Sequence, residues 1–349
     1  MDKNVTLKDI AKEMQVSIVT VSNALAGRSG VGDELRIEIE KRAHEMGYRR
    51  KARRERKSIS KRSRVYNAGT RIGVIAENKY LEKYTSFYWE MYQRVVVAAS
   101  GKACFTSLEI LTDDQERRKE MPLLLSDEEI NGFIIIGMLD EAYLKKLYQT
   151  ADCPILFLDF AYDGIPCDAV ISNGFYGMYQ MTNYLIGLGH TEIGFIGNYY
   201  ATGSIMDRYQ GFSKSLLEHG IAERQEWVLS DRDIDTGKPR LQLPDRLPTA
   251  FVCNCDYTAE FAAKRLMEAG YRIPEDISIV GYDDFLVSGI LHGKVSTYAV
   301  DMDSMALLAL ELLLKRINGE GQEPTVRMVD GRMVIRQSAK AYEPAPVLR

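Results

Sequence analysis

The stretch from Val5 to Gly27, VTLKDIAKEMQVSIVTVSNALAG, restricts what the front of this chain can become more than any other segment. Leu7, Ile10, Ala11 and Met14 fall at i, i+3, i+4 and i+7, which puts four apolar side chains on one helical face. Thr6 stands just before that face and Asp9 three residues on, a capping-box spacing. The pattern breaks at Gln15-Val16, and Ser17 is a good N-cap for a second helix running to Leu25. Val21, Ala24 and Leu25 face inward in that helix, which leaves Ser17, Ile18, Val19, Ser22 and Asn23 facing out. A third helix carries Leu35, Ile39, Ala43 and Met46 on one side and completes a small core. Two short helices, a tight turn, and small polar and β-branched residues exposed at the start of the second describe a helix-turn-helix. That unit lays its second helix in the major groove of duplex DNA.

Charge separates this end from the rest. The net charge of −4 hides residues 1–64, which hold 17 Lys/Arg against 9 Asp/Glu and so carry +8, while the remainder carries −12. Ten of the sixteen residues from Arg49 to Arg64 are basic and only Glu55 is acidic. Placed directly after a helix-turn-helix, this run, with Arg53, Arg54 and Lys57 at its centre, is expected to neutralise phosphates.

From Arg71 the pattern changes. Seven β-branched apolar runs (Arg71–Ala76, Ala103–Glu109, Gly132–Ile136, Ile155–Asp159, Ile193–Gly197, Thr249–Cys253 and Ile277–Gly281) alternate with helical ones such as Phe87–Ala99, Asp113–Leu125, Asn173–Leu188, Ile205–His219 and Asp256–Ala269. That alternation predicts parallel sheets covered on both faces, arranged as two doubly wound subdomains with a cleft between them. At 349 residues the chain is long enough for two or three domains. The expected division is a headpiece over 1–48, a basic linker over 49–70, and a two-part domain over 71–349. The last splits near 160–170, with crossovers near 285–300.

Several classes are disfavoured. No run of 18 apolar residues offers a membrane span, and Met1-Asp2-Lys3-Asn4 does not lead into an apolar leader, so a cytoplasmic protein is expected. The five cysteines are an odd number at unrelated spacings, the habit of reduced thiols. Cys253 and Cys255 alternate along a predicted strand and the chain has four histidines, so no metal and no cofactor are expected. No phosphate loop, nucleophile elbow or paired histidines argue for an enzyme.

Thr6-Leu7-Lys8-Asp9-Ile10-Ala11, Val16-Ser17, Thr20-Val21-Ser22, Ala24-Leu25 and Gly47-Tyr48 together resemble the headpiece of the LacI/GalR family of bacterial regulators. The likeness continues through Leu185–His190, Ile193–Gly197, Arg208 with Gly211-Phe212, Pro274–Ser278 and Gly281-Tyr282-Asp283-Asp284, and so covers the chain to about Ser338. It implies a helix-turn-helix headpiece on a periplasmic-binding-protein-like α/β domain. The implied function is a repressor that binds double-stranded operator DNA as a homodimer and responds to a small effector, a carbohydrate or related metabolite. By position it implies DNA contacts from Thr6, Leu7, Ser17, Ile18, Val19, Thr20, Ser22, Asn23 and Arg28. It implies effector contacts from Arg208, Asp283, Asp159 and the aromatic pair Phe87-Tyr88. A guanidinium fork and a carboxylate at opposite ends of a polyol, with aromatic faces over its C–H surface, suit that chemistry.

Three departures stand out. Family members usually carry a hinge helix beginning Pro-Asn-Ala, with a leucine that wedges into the minor groove. Here the proline position is Arg50 and the leucine position is Lys57, which leaves Ile59 as a shifted wedge or charge alone as the binding force. The family's Ala-Asn-Asp reads Asn254-Cys255-Asp256, a thiol in place of the amide; Cys255 and Asp256 are expected at the effector by position, with Asn254 or Asp256 the alternatives for the polar contact. Three prolines in Asp231–Pro248 argue that a helix common there is truncated or absent. The rival reading is a small-molecule-binding protein or enzyme that uses the same cleft, with non-specific DNA binding by the basic arm.

Overall fold

The computed structural model describes residues 6–25, 32–46, 69–81, 86–233, 238–320 and 323–343. They belong to two units, Met1–Arg64 and Val65–Arg349.

In the first unit α1 (Leu7–Glu13), α2 (Ile18–Leu25) and α3 (Asp33–Glu45) close around Ile10, Ala11, Val21, Ala24, Ile39 and Ala43, all buried. The Asp9 carboxylate accepts from the Thr6 N–H at 2.8 Å and from the Thr6 hydroxyl at 2.7 Å, which fixes the start of α1. Gln15 turns the chain at a φ of 52°, a left-handed backbone that costs a residue with a Cβ about 1–2 kcal/mol. Ser17 Oγ then accepts from the Thr20 N–H at 3.0 Å and opens α2.

The second unit holds two parallel sheets. The first is built from β1 (Arg71–Glu77), β2 (Phe105–Leu111), β3 (Ile130–Ile136), β4 (Ile155–Leu158) and β5 (Asp168–Ser172), with α4 (Asn78–Leu81), α5 (Phe87–Gly101), α6 (Asp113–Arg118) and α7 (Glu141–Thr150) in the connections. The second contains β6 (Ile193–Ile196), β7 (Val228–Leu229), β8 (Ala250–Cys253) and β9 (Ser278–Val280), with α8 (Gly174–Gly187), α9 (Gly203–Glu218) and α10 (Asp256–Glu268). The chain then runs through β10 (Thr297–Ala299), α11 (Met302–Ile317), β11 (Val326–Val329) and β12 (Arg332–Val334). β11 joins the edge of the first sheet beside β5, giving the order β11-β5-β4-β3-β1-β2, while β10 and β12 pair antiparallel. The chain therefore crosses between the sheets near residues 173, 300 and 330.

Strand residues feed both faces. Ile72, Val74, Ile134 and Ile136 pack under α5 and α11, while Ile75, Phe133 and Ile135 pack under α7. The apolar residues of α11, which at first sight suit a dimer face, go largely inward: Met305, Leu310, Leu313 and Leu314 are buried in the first sheet's core and Leu308 and Leu312 pack partly against it, while Leu307 is exposed. Phe251 and Cys253 point to the opposite side of β8 from Ala250 and Val252.

The expectation of seven strands falls short. β5, β7, β10, β11 and β12 are additional, and each is short or begins with a charged or polar residue. β5 begins at Asp168, whose buried carboxylate accepts from Arg316 Nε at 2.6 Å and Nη2 at 3.0 Å, a pairing no local pattern reveals. The helix expected over Asp113–Leu125 ends at Arg118, because Lys119 turns left-handed at a φ of 55° and Pro122 cannot continue a helix. Among the described residues of 231–248 there is no helix.

Candidate functional site

The carboxyl ends of parallel strands face each other across the second unit, the position at which doubly wound sheets bind ligands. β1 ends at Glu77 and leads to Tyr80; β4 leads to Asp159; β7 leads to Asp231-Arg232; β8 leads to Asn254-Cys255; β9 leads to Tyr282-Asp283. Tyr88 lies in the first turn of α5 and Arg208 in the second turn of α9.

α9 reaches this position by close packing on α8. A Cβ on Gly211 would stand 2.1 Å from the Phe175 carbonyl oxygen, so only glycine permits the approach. Arg208 is thereby held with 9% exposure. Its Nη1 donates to the Asn254 carbonyl at 2.9 Å, its guanidinium carbon lies 4.1 Å from the Tyr282 ring centroid, and its Nε has no hydrogen-bond partner. Asp159, Cys255 and Asp283 all act on its charge, so the structure brings these four residues together.

Asp159 sits just past β4 with a φ of 68°, its N–H donating to the Val170 carbonyl at 2.8 Å. Burial pushes its carboxyl up to about 6, against the opposing pull of Arg208 and of a hydrogen bond from Tyr88. Asp283 also has a left-handed backbone, with a φ of 94°, and its Oδ1 accepts from the Phe285 N–H at 2.9 Å. Burial carries it to about 7, again opposed by Arg208. Phe87 meets Tyr88 edge-on at 5.3 Å and Phe285 at 6.2 Å, so Phe87 and Tyr88 border the same cleft.

Asp256 does not join them. It is fully buried at the first position of α10, and its Oδ1 lies where a Cβ on Gly281 would meet it at 2.0 Å. Its carboxyl thus lies behind the strand ends rather than in the cleft, and burial, reinforced by Asp283, pushes it well above the usual carboxylate range. Cys255 stands at the N-cap of α10: its Sγ lies 3.4 Å from the Thr258 hydroxyl, and burial pushes the thiol up to about 12. A sulfur so protonated is a weak nucleophile.

Sequence reasoning missed Asp231, Arg232 and Tyr80. Asp231 is a buried hub that accepts from the Asn198 N–H at 2.9 Å, Thr258 Oγ1 at 2.9 Å, Asn254 Nδ2 at 3.0 Å, and Arg232 through Nε at 3.0 Å and Nη2 at 2.7 Å. The Asn254 amide is therefore already engaged. Tyr80 packs on Tyr88 at 4.6 Å between ring centroids and donates to the Met138 carbonyl at 2.8 Å. The available signal was the charged run Asp231-Arg232-Asp233 close after apolar Trp227-Val228-Leu229.

In the headpiece, Ile18 is 47% exposed and Ser17 and Thr20 share a 2.8 Å hydroxyl contact at the start of α2. Thr6 is occupied in capping α1, and Leu7, expected to reach DNA, packs against the headpiece core. Val19, Ser22 and Asn23 lie on α2, but their side chains are outside the described residues, as are Arg28, Arg53, Arg54, Lys57 and Ile59 entirely. Among the described residues no helix is long and apolar enough to cross a membrane.

Residues 6–51 match the family described as bacterial regulatory proteins, lacI family, and residues 182–339 match the periplasmic binding protein-like domain. The chain is 26% identical over 339 residues to the HTH-type transcriptional repressor PurR of Aliivibrio salmonicida (strain LFI1238), covering 95% of this chain and 98% of that protein. Its fold is similar to that of the transcriptional regulator CelR in complex with cellobiose, with a TM-score of 0.66 and 22% identity over 96% of this chain and all of that one. It is likewise similar to the lac repressor dimer bound to operator and the anti-inducer ONPF, with a TM-score of 0.64 and 21% identity over 97% of this chain and all of that one.

Proposed function

The chain belongs to the LacI/GalR family of bacterial transcriptional regulators, and from that premise we propose that it is a repressor whose hold on operator DNA is set by a small effector in the cleft of its second unit. It acts as a homodimer in the cytoplasm and catalyses no reaction. Two headpieces related by a twofold axis would read two half-sites of the operator.

One observation carries the effector half of this reading. Arg208 is buried with a single hydrogen bond and an unpartnered Nε, facing Asp159 and Asp283 across a cleft bordered by Tyr88 and Phe87. A buried cation with unused donors is costly unless something accepts from it. Oxygen acceptors on a ligand meet that need, while Asp159 and Asp283 accept from its hydroxyls. The cellobiose held by CelR is a hydroxylated molecule of this general kind.

The DNA half rests on α2. Ile18, Val19 and Asn23 are proposed to set base preference, the first two against thymine methyls and Asn23 by hydrogen bonding. Ser17, Thr20 and Ser22 are proposed to hold phosphates, with Arg28 and the basic linker beside them. Selection from a random DNA pool tests this. The wild type should return one motif with twofold symmetry, and exchanging Ile18 and Val19 for other residues should return a different one. An unchanged motif would remove these residues from the reading surface.

A further inference from the structure

Two guanidinium groups are tied to one residue just before α10. The Asn254 backbone carbonyl accepts from Arg208 Nη1 at 2.9 Å, and the Asn254 side-chain amide donates at 3.0 Å to Asp231, which holds Arg232 by two bonds. The next residue, Cys255, is the N-cap of the 13-residue α10 and makes no side-chain capping bond there. Both arginines lie within electrostatic reach of its sulfur. The positive pole of a helix, normally complemented by an oxygen acceptor, is thus left to a protonated thiol.

The one acid placed to complement that pole, Asp256, is turned under Gly281 and enclosed. Arg208 makes no ion pair among the described residues, and its Nε has no acceptor. Arg232 shares its charge with Asp231, itself fixed by three further donors. Asp159 and Asp283 both act on the charge of Arg208, but neither bonds it among the described residues.

We propose that the effector carries an anionic group, a carboxylate or a phosphate, seated between Arg208 and Arg232 over the N-terminus of α10. This rests on the effector reading of the cleft. Guanidinium edges and a helix N-terminus are the donor set that carboxylates and phosphates match. A neutral polyol alone would leave Arg208 buried without an opposite charge bonded to it. The remaining hydroxyls of the ligand meet Tyr88 and Asp159.

The test is thermal unfolding of the full chain titrated with inorganic phosphate, with malonate, and with glucose, each at constant ionic strength set by chloride. Phosphate or malonate should raise the midpoint saturably above chloride, and which of them does so identifies the anion. Arg232→Gln should weaken that response about tenfold or more, the loss of a charge-assisted bond. Cys255→Asp supplies its own carboxylate at the cap: its midpoint without anion should rise and its anion response should vanish, a result that does not depend on the fate of Arg232→Gln. No rise above chloride with either anion overturns the proposal. A rise undiminished in both variants means an adventitious ion only. A saturable rise with glucose against which neither anion competes overturns the anionic class while leaving the effector cleft in place. Failure of the cleft itself shows separately, as operator binding that no metabolite, charged or neutral, alters.

Discussion

Arg208 and the carboxyls around it set the behaviour of the cleft at the scale of single residues. Replacing Arg208 by alanine removes charge-assisted contacts to the effector, and calorimetry should record a loss of about 1.5–3 kcal/mol in effector affinity while operator affinity without effector is retained. Unchanged effector affinity in a folded variant would remove Arg208 from the contact set. The carboxyls also predict a pH dependence of unusual sign. Burial holds Glu77 at about 7, Asp159 at about 6 and Asp283 at about 7, all above their unfolded values near 4. The folded state therefore holds more protons than the unfolded state between about pH 4 and 7, so these groups make stability fall as pH rises through that window. Paired carboxyls such as Asp276, which Arg272 lowers to about 2, act in the opposite sense but only below that window. Urea unfolding at pH 5 and pH 8 should give the higher stability at pH 5, and Asp283→Asn should shrink the difference. Equal slopes in wild type and variant would contradict the assignment. Arg208, Asp159 and Asp283 were legible because they stand in landmark strings at strand ends or one helical turn before a glycine. Arg232 was hidden by the two-residue strand before it, and Asp256 was misplaced because a helix-starting acid reads the same whether it faces a cleft or a neighbouring glycine.

Among the elements, the three headpiece helices and the long apolar strands follow directly from periodicity, since both put their apolar residues on faces that need cover. Elements closed by distant partners do not. β5 depends on Asp168 meeting Arg316, and β11 pairs with β5 across more than a hundred residues of sequence, so neither has a local signature. α11 shows the converse: its leucines were legible as a helix face, but only the tertiary structure reveals that this face fills the first sheet's core. The basic linker, outside the described residues, makes its prediction from composition. Ten basic residues in Arg49–Arg64, with Lys57 where a wedging leucine is expected, imply binding through phosphates. Replacing Arg53, Arg54, Arg56 and Lys57 by glutamine should flatten the slope of log K against log salt by several units, at about 0.9 for each phosphate contact, doubled in a dimer, and weaken operator and random DNA alike. Ile59→Ala is the counter-test, because a wedge is rewarded only where the DNA kinks. A salt slope untouched by the glutamines, with a large operator-specific loss from Ile59→Ala, would reverse the conclusion.

The molecule as a whole divides its charge as it divides its tasks, with +8 in residues 1–64 and −12 in the remainder. A polyanion is drawn to one end and repelled by the other, which favours docking through the headpiece. On the proposed reading the second unit serves DNA binding by linkage: a ligand that prefers one arrangement of its two sheets shifts operator affinity by as much as its affinities for the two arrangements differ. The most direct measurement is equilibrium binding of the full chain to its selected operator and to random DNA, with and without each metabolite of a broad panel, in wild type and in Arg208→Ala. The account predicts a preference for the operator of about a thousandfold or more, changed by one metabolite in the wild type and left unchanged by it in Arg208→Ala. Equal affinity for operator and random DNA, or a metabolite response that survives intact in Arg208→Ala, would contradict it.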